Sequence, residues 1–195
     1  MSVVFCCLLF LLCGLAILPY PGVQNDEALF AAPLYPPKSY MASVSIFHVP
    51  IPIMQMSYLG CLKGWIYKSI FSLWAPSVFS LRVPVLIFGA VTIWLFWLLL
   101  RLTVGERAAN IGPILLATDT SFLLTTCFDW GPVALQNLLM LAGVVSIVCS
   151  HRSRKESLFG LGFFLFGLGL WNKALFSWIL IGLTVATLVI FSSDL

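Results

Sequence analysis

The chain is 195 residues long, 61% hydrophobic and only 9% charged, with a mean hydropathy of +1.07. A soluble domain carries roughly 25% charged residues, so this composition excludes a water-soluble globule. Several apolar runs reach or approach the roughly 20 residues that cross a hydrocarbon core, which makes the expected fold class an all-α polytopic bundle and not a barrel. The formal net charge is +3, and the Lys and Arg residues are spread around span boundaries. No basic stripe follows a phosphate backbone, so nucleic acid is not expected as a partner.

In chain order, the first apolar run covers residues 3 to 18, "VVFCCLLFLLCGLAIL". It has neither a basic leader nor a small-x-small cleavage site, so a retained first span is expected in place of a signal peptide. Residues 19 to 80 follow as a long segment broken by Pro19, Pro21, Pro33, Pro36, Pro37, Pro50, Pro52 and Pro76. It cannot be one helix. Within it, residues 54 to 74 carry Tyr58, Leu62, Trp65, Ile66 and Ile70 at helical spacing, which predicts an interfacial helix against the membrane.

A second span is expected at about 83 to 100, with Pro84 in its first turn. Further spans are expected at about 109 to 128, 132 to 149, 158 to 171 and 174 to 192, for six in all. The short loops 101 to 107 and 151 to 156 hold Arg101, Arg107, Arg152, Arg154 and Lys155. By the positive-inside rule they face the cytosol, as does the N-terminus. The segment 19 to 80 and the turns at 128 to 131 and 171 to 173 then open on the opposite side. The six cysteines, Cys6, Cys7, Cys13, Cys61, Cys127 and Cys149, lack metal-ligand spacing and read as small apolar packing residues, only Cys61 and Cys127 falling on one side together.

That topology gathers Asp26, Glu27 and Asp129 with the cations Lys63, Lys68, Arg82 and Lys173. Two readings of the adjacent carboxylates Asp26 and Glu27 stand side by side. They are solvated loop residues capping a helix entry, or they include a general base at the membrane surface, where partial desolvation strengthens a carboxylate as proton acceptor. Asp129, before the Gly-Pro turn, reads as a cap or as a site residue. Asp119, in "ILLATDTSFLLTT", sits at span depth, where a charge costs about 2.5 to 3.5 kcal/mol on insertion scales. It therefore needs a partner, in a helix contact or along a substrate path. The cations are either snorkelling helix ends or contacts for a lipid phosphate. His48 and His151 fall on opposite sides and share no metal site. No cofactor is called for, although a divalent metal stays open.

In order along the chain come the acidic pair, "YLGCLKGWIY", "SLRVP", "GERAANIGPILLATDTSFL", "FDWGPVALQNLL" and "GLWNKALFSW". This series resembles the N-terminal half of the GT-C membrane glycosyltransferases of the family 39 type, which includes protein O-mannosyltransferases and the lipid A aminoarabinose transferase. The resemblance implies inverting transfer of a sugar from a polyprenyl-phosphate donor to a glycan, lipid or protein acceptor on the non-cytosolic face of a bacterial cell membrane. It also implies Asp26 as catalytic base with Glu27 beside it, Asp129 shaping the cavity, and Lys63, Arg82 and Lys173 on the substrate side. Family members are longer, so residues 1 to 195 are expected to form one membrane domain belonging to a larger module. The competing expectation is a non-catalytic membrane scaffold or transporter fragment in which the carboxylates are caps.

Overall fold

The computed structural model describes residues 3–30, 33–35, 38–129 and 131–190. Pro36, Pro37, Trp130 and the end of the sixth expected span with its "FSSDL" tail lie outside the described residues. The chain begins with α1 (Val3–Ile17), then a short α2 (Asn25–Leu29) that starts at the acidic pair. A hairpin follows, β1 (Ala42–Ile46) and β2 (Val49–Met56), with a two-residue β3 (Leu59–Gly60) leading into α3 (Leu62–Leu73). The rest is helical: α4 (Val78–Thr103), α5 (Glu106–Thr118), α6 (Thr120–Phe128), α7 (Val133–Ser153), α8 (Glu156–Asn172) and α9 (Phe176–Ile190).

The fold is mainly helical, consistent with the expected all-α membrane protein, and carries one small addition that was not expected: residues 42 to 60 form an antiparallel sheet of order β1-β2-β3. The interfacial helix expected from residue 54 begins only at Leu62. Its first turns are replaced by β2, where Pro50 and Pro52 lie opposite Ser45 and Ser43. Prolines at alternate positions rule out a helix but are tolerated here, because β3 pairs only with the Met54 to Met56 half of β2. The hairpin turns at Phe47 and His48, with φ of 50° and 65°. Positive φ at both central residues is the pattern of a type I′ turn.

α4 is the central helix and packs against α1, α5, α6 and α7. One apolar core joins Phe10 of α1, Leu86 and Ile93 of α4, Ala117 of α5 and Cys127 of α6. A second joins Leu95 of α4 to Leu141 and Val145 of α7. The most extensive helix contact is α7 against α8, where a Cβ on Gly143 would fall 2.5 Å from Phe166 and 3.2 Å from the Gly162 carbonyl. Close backbone approach of this kind is how membrane helices gain packing without a hydrophobic drive between them. Cys61 and Cys127 are both buried and carry no disulfide.

By length and apolarity, α4 and α7 are each able to cross a membrane, and α5 with α6 makes a third crossing if the bent pair counts as one. The helices at the other expected spans, α1, α8 and α9, have 15, 17 and 15 residues, about 23 to 26 Å at 1.5 Å per residue. α4 begins earlier than expected, capped by Ser77, whose hydroxyl accepts from Ser80 N at 3.1 Å. Pro84 is thus an interior proline and not a first-turn one.

The span expected at 109 to 128 is broken at Asp119, where α5 and α6 meet at 57°. Asp119 is the N-cap of α6, its Oδ1 accepting from Phe122 N at 2.5 Å. The carboxylate so answers a freed backbone donor, which offsets part of the cost of placing it there. At the end formed by the two basic turns, Arg101 pairs with Glu106 at 2.8 Å and Arg152 donates to the Leu102 carbonyl.

Candidate functional site

At the opposite end, the turn after α1 wraps a single guanidinium. Arg82, one turn into α4 and 1% exposed, donates through Nε to Glu27 Oε1 at 2.6 Å and through Nη2 to Glu27 Oε2 at 2.8 Å. Its remaining donors reach the carbonyls of Leu18 at 2.7 Å, Pro21 at 2.9 Å and Gly22 at 2.8 Å. All five N–H groups of the fork are used. Glu27, 3% exposed, also accepts from Gln24 N at 2.8 Å, capping α2 from its third position. A bidentate pair with every donor satisfied is the arrangement in which a buried ion pair recovers its desolvation cost.

Asp26, the other half of the acidic pair, is only partly buried, and its carboxylate has no hydrogen bond or ion pair among the described residues. The helical step of about 100° between neighbours separates the two carboxylates. Glu27 faces the guanidinium and Asp26 is left available.

A second buried pair lies alongside. Asp129 ends α6 in the left-handed region at φ 43°, and its Oδ1 accepts from Ala134 N of α7 at 3.1 Å. Its Oδ2 takes the Lys63 ammonium of α3. Complete burial raises the Asp129 carboxyl above the ordinary range, while the Lys63 charge pulls it back. The Lys63 ammonium also lies 3.8 Å from the Phe30 ring centroid and 5.3 Å from that of Tyr67, which spreads its charge over two aromatic faces.

Tyr67, one turn beyond Lys63 on the same face of α3, donates its hydroxyl to the Leu81 carbonyl beside Arg82. Burial pushes the phenol well up, and the charges of Asp129 and Glu27 push it the same way. The tyrosine thus stands between the two ion pairs. It was not among the residues expected from sequence, although its spacing of four from Lys63 was a usable signal.

Lys173, between α8 and α9, completes the cluster in space but not in bonding. Its backbone bridges to Leu59 of β3, and Ala174 N donates to Tyr58 O at 2.9 Å. A Cβ on Gly131, which has φ 69°, would fall 2.7 Å from the Lys173 Nζ. Glycine adopts that backbone without strain, and a side chain there would have to displace the Lys173 ammonium. The ammonium itself makes no ion pair among the described residues and is partly exposed.

Neighbouring Asn172, fully buried, donates to the Pro132 carbonyl at 3.2 Å, while its Oδ1 has no partner among the described residues. Lys68 is exposed on α3 and lines a separate cavity that the cluster residues do not. Among the described residues no three His, Cys, Asp or Glu side chains come together as a metal group.

Apart from Lys68, the sequence-predicted residues thus fall at one end of the bundle, two pairs closed on themselves and Asp26 and Lys173 without an ion pair among the described residues. The dolichyl-phosphate-mannose-protein mannosyltransferase family model matches residues 60–194. The chain belongs to this family. Membership makes it an integral membrane protein of the glycosyltransferase class, whose sugar donor is a polyprenyl phosphate. The match contains Lys63, Arg82, Asp129 and Lys173 but starts beyond Asp26 and Glu27. No curated protein and no solved structure matches the chain.

Proposed function

We propose that the protein transfers a sugar, with inversion, from a polyprenyl-phosphate donor to a hydroxyl of a glycan, lipid or protein acceptor on the non-cytosolic face. Asp26 is the general base. The acceptor oxygen attacks the anomeric carbon as its proton passes to the Asp26 carboxylate. The bond from the anomeric carbon to the phosphate oxygen breaks, and the negative charge gathering on the departing polyprenyl phosphate is met by the Lys173 ammonium. Arg82 and Lys63, expected to meet the lipid phosphate, act in this scheme through their carboxylate partners: Glu27–Arg82 fixes the turn that carries Asp26, and Lys63–Asp129 fixes the turn beside Lys173.

The observation that carries this assignment is the division of labour among the charges. With Lys68 set apart on the exposed face of α3, four of the remaining six are neutralised within buried pairs, and the two without an ion pair among the described residues are one carboxylate and one ammonium, the minimum for deprotonating an alcohol and stabilising a phosphate leaving group. The membrane arrangement that accompanies it has six crossings, α1, α4, α5 with α6, α7, α8 and α9, with the basic turns and the N-terminus in the cytosol.

The test is reconstitution of the full chain in sealed vesicles with a labelled polyprenyl-phosphate sugar and a membrane-impermeant acceptor. Labelled acceptor is expected on the side opposite the basic turns. Label that stays on the lipid with every acceptor class, or product formed on the side of the basic turns, contradicts the proposal.

A further inference from the structure

A cavity of about 390 Å³ lies between β2 and α3, apart from the charge cluster: none of Asp26, Glu27, Arg82, Asp129 or Lys173 lines it. Pro50, Ile51 and Pro52 form one wall, and Trp65 and Lys68 the other, with Lys38 entering from the segment before β1. Trp65 and Lys68 are three residues apart on α3 and so share a face. No acidic residue lines the cavity. Lys38 and Lys68 are both exposed and have no ion pair among the described residues.

The aromatic wall is preformed. The Trp65 indole N–H donates to the Pro52 carbonyl at 2.9 Å, and Trp171 meets its ring edge-on at a centroid distance of 5.0 Å. The indole is therefore held in place while part of its surface stays open.

Two unpaired cations over an apolar floor suit an anion that carries hydrocarbon. A free inorganic anion would have to shed water against Pro50, Ile51 and Pro52, which offer it no side-chain donor. The surroundings agree. Residues 39 to 62 contain no Asp, Glu, Lys or Arg, and the hairpin tip presents Phe47 at 94% exposure and Val49 at 58%, with Met41 at 68% at the open end of the strand pair. An uncharged strand pair with an aromatic tip, flanked by lysines and tryptophan, has the composition of a protein surface at the headgroup boundary.

The geometry points to this cavity as a binding site for the phosphodiester head group of an anionic phospholipid, with Lys38 and Lys68 on the phosphate and Trp65 against the glycerol and upper acyl chain. The bound lipid ties the first external segment to the membrane surface beside the charge cluster, and its occupancy is independent of sugar transfer.

The test is fluorescence quenching in the full chain, reconstituted in nanodiscs containing acyl-brominated phosphatidylglycerol or acyl-brominated phosphatidylcholine. The Trp65 signal is isolated by difference from Trp65→Phe. The site predicts that Trp65 is quenched severalfold more by the anionic lipid, that Lys38→Gln/Lys68→Gln removes this preference without moving the thermal midpoint, and that millimolar inorganic phosphate does not relieve the quenching. Equal quenching by the two lipids, or a preference that survives the double substitution, overturns the site. Relief by inorganic phosphate overturns the lipid assignment and makes the ligand a soluble anion.

Discussion

At the scale of single residues, the most consequential side chain is Arg82, whose five donors are all committed to Glu27 and to three carbonyls of the turn after α1. Removing one member of a buried pair leaves the other charge uncompensated, at a cost of about 3–5 kcal/mol. Arg82→Gln is therefore expected to lower the thermal midpoint in detergent strongly. Arg82→Met combined with Glu27→Leu should be closer to wild type than either single change, and a double substitution as damaging as the sum of the two would contradict the pairing. Gly131→Ala is the matching test at the other end of the cluster. It forces a Cβ onto Lys173 at a φ of 69°, so it should lower transfer more than tenfold by displacing the ammonium while the helical circular dichroism stays unchanged.

Sequence reasoning placed Asp26 and Glu27 together with Arg82 but could not separate their surroundings. What separates them is a guanidinium 55 positions along the chain, and neighbouring carboxylates look alike until that partner is known. Tyr67 and the open Oδ1 of Asn172 were missed for the same reason, since their importance lies in what surrounds them. The charges of Lys63, Arg82, Asp129 and Lys173 were legible because so few charged residues occur in so apolar a chain.

At the scale of elements, the uniformly apolar helices were readable to within a few residues, because in a membrane chain apolarity all round is itself the signal. Two elements were not. The helix-spaced run read from residue 54 starts as a helix only at Leu62: residues 54 to 60 belong to the end of β2, its turn and β3, because Pro50 and Pro52 bar a helix immediately upstream and pairing with β1 and β3 satisfies the extended backbone. The break at Asp119 falls in the polar stretch Thr118-Asp119-Thr120-Ser121, a cap signal that the length of the surrounding apolar run outweighed in the reading of one span, and the capping bond to Phe122 N fixes it there.

Asp119→Ala should cost about 1 kcal/mol, the ordinary worth of an N-cap, with little change in transfer. A total loss of transfer would instead place Asp119 on the substrate path. At the α7–α8 contact, Gly143→Leu wedges a side chain between backbones in contact through Phe166 and Gly162. Overpacking there is expected to destabilise by about 1–3 kcal/mol or more, read as a lower thermal midpoint.

At the scale of the whole molecule, the bundle is polarised. One end collects Arg101, Glu106 and Arg152 in exposed contacts. The other collects two buried ion pairs, an open carboxylate and an open ammonium. The helical membrane plan was legible in the sequence because apolar runs alternate with short turns rich in Arg and Lys. It also yields a sidedness prediction: a cysteine introduced at Gly105 and one at Gly22, in a background with the native cysteines replaced, should react with a membrane-impermeant maleimide from opposite sides. Labelling of both from the same side would contradict the alternating topology.

The central claim is that Asp26 removes the acceptor proton, while Glu27 only holds the turn that carries it. It is tested most directly by measuring single-turnover sugar transfer from a polyprenyl-phosphate donor by the reconstituted chain with Asp26→Asn, alongside the thermal midpoint and donor binding of the same preparation. The account predicts that transfer falls by about 10²–10⁴-fold, the range of general-base contributions, with midpoint and donor binding unchanged. Transfer at the wild-type rate by folded Asp26→Asn would contradict it.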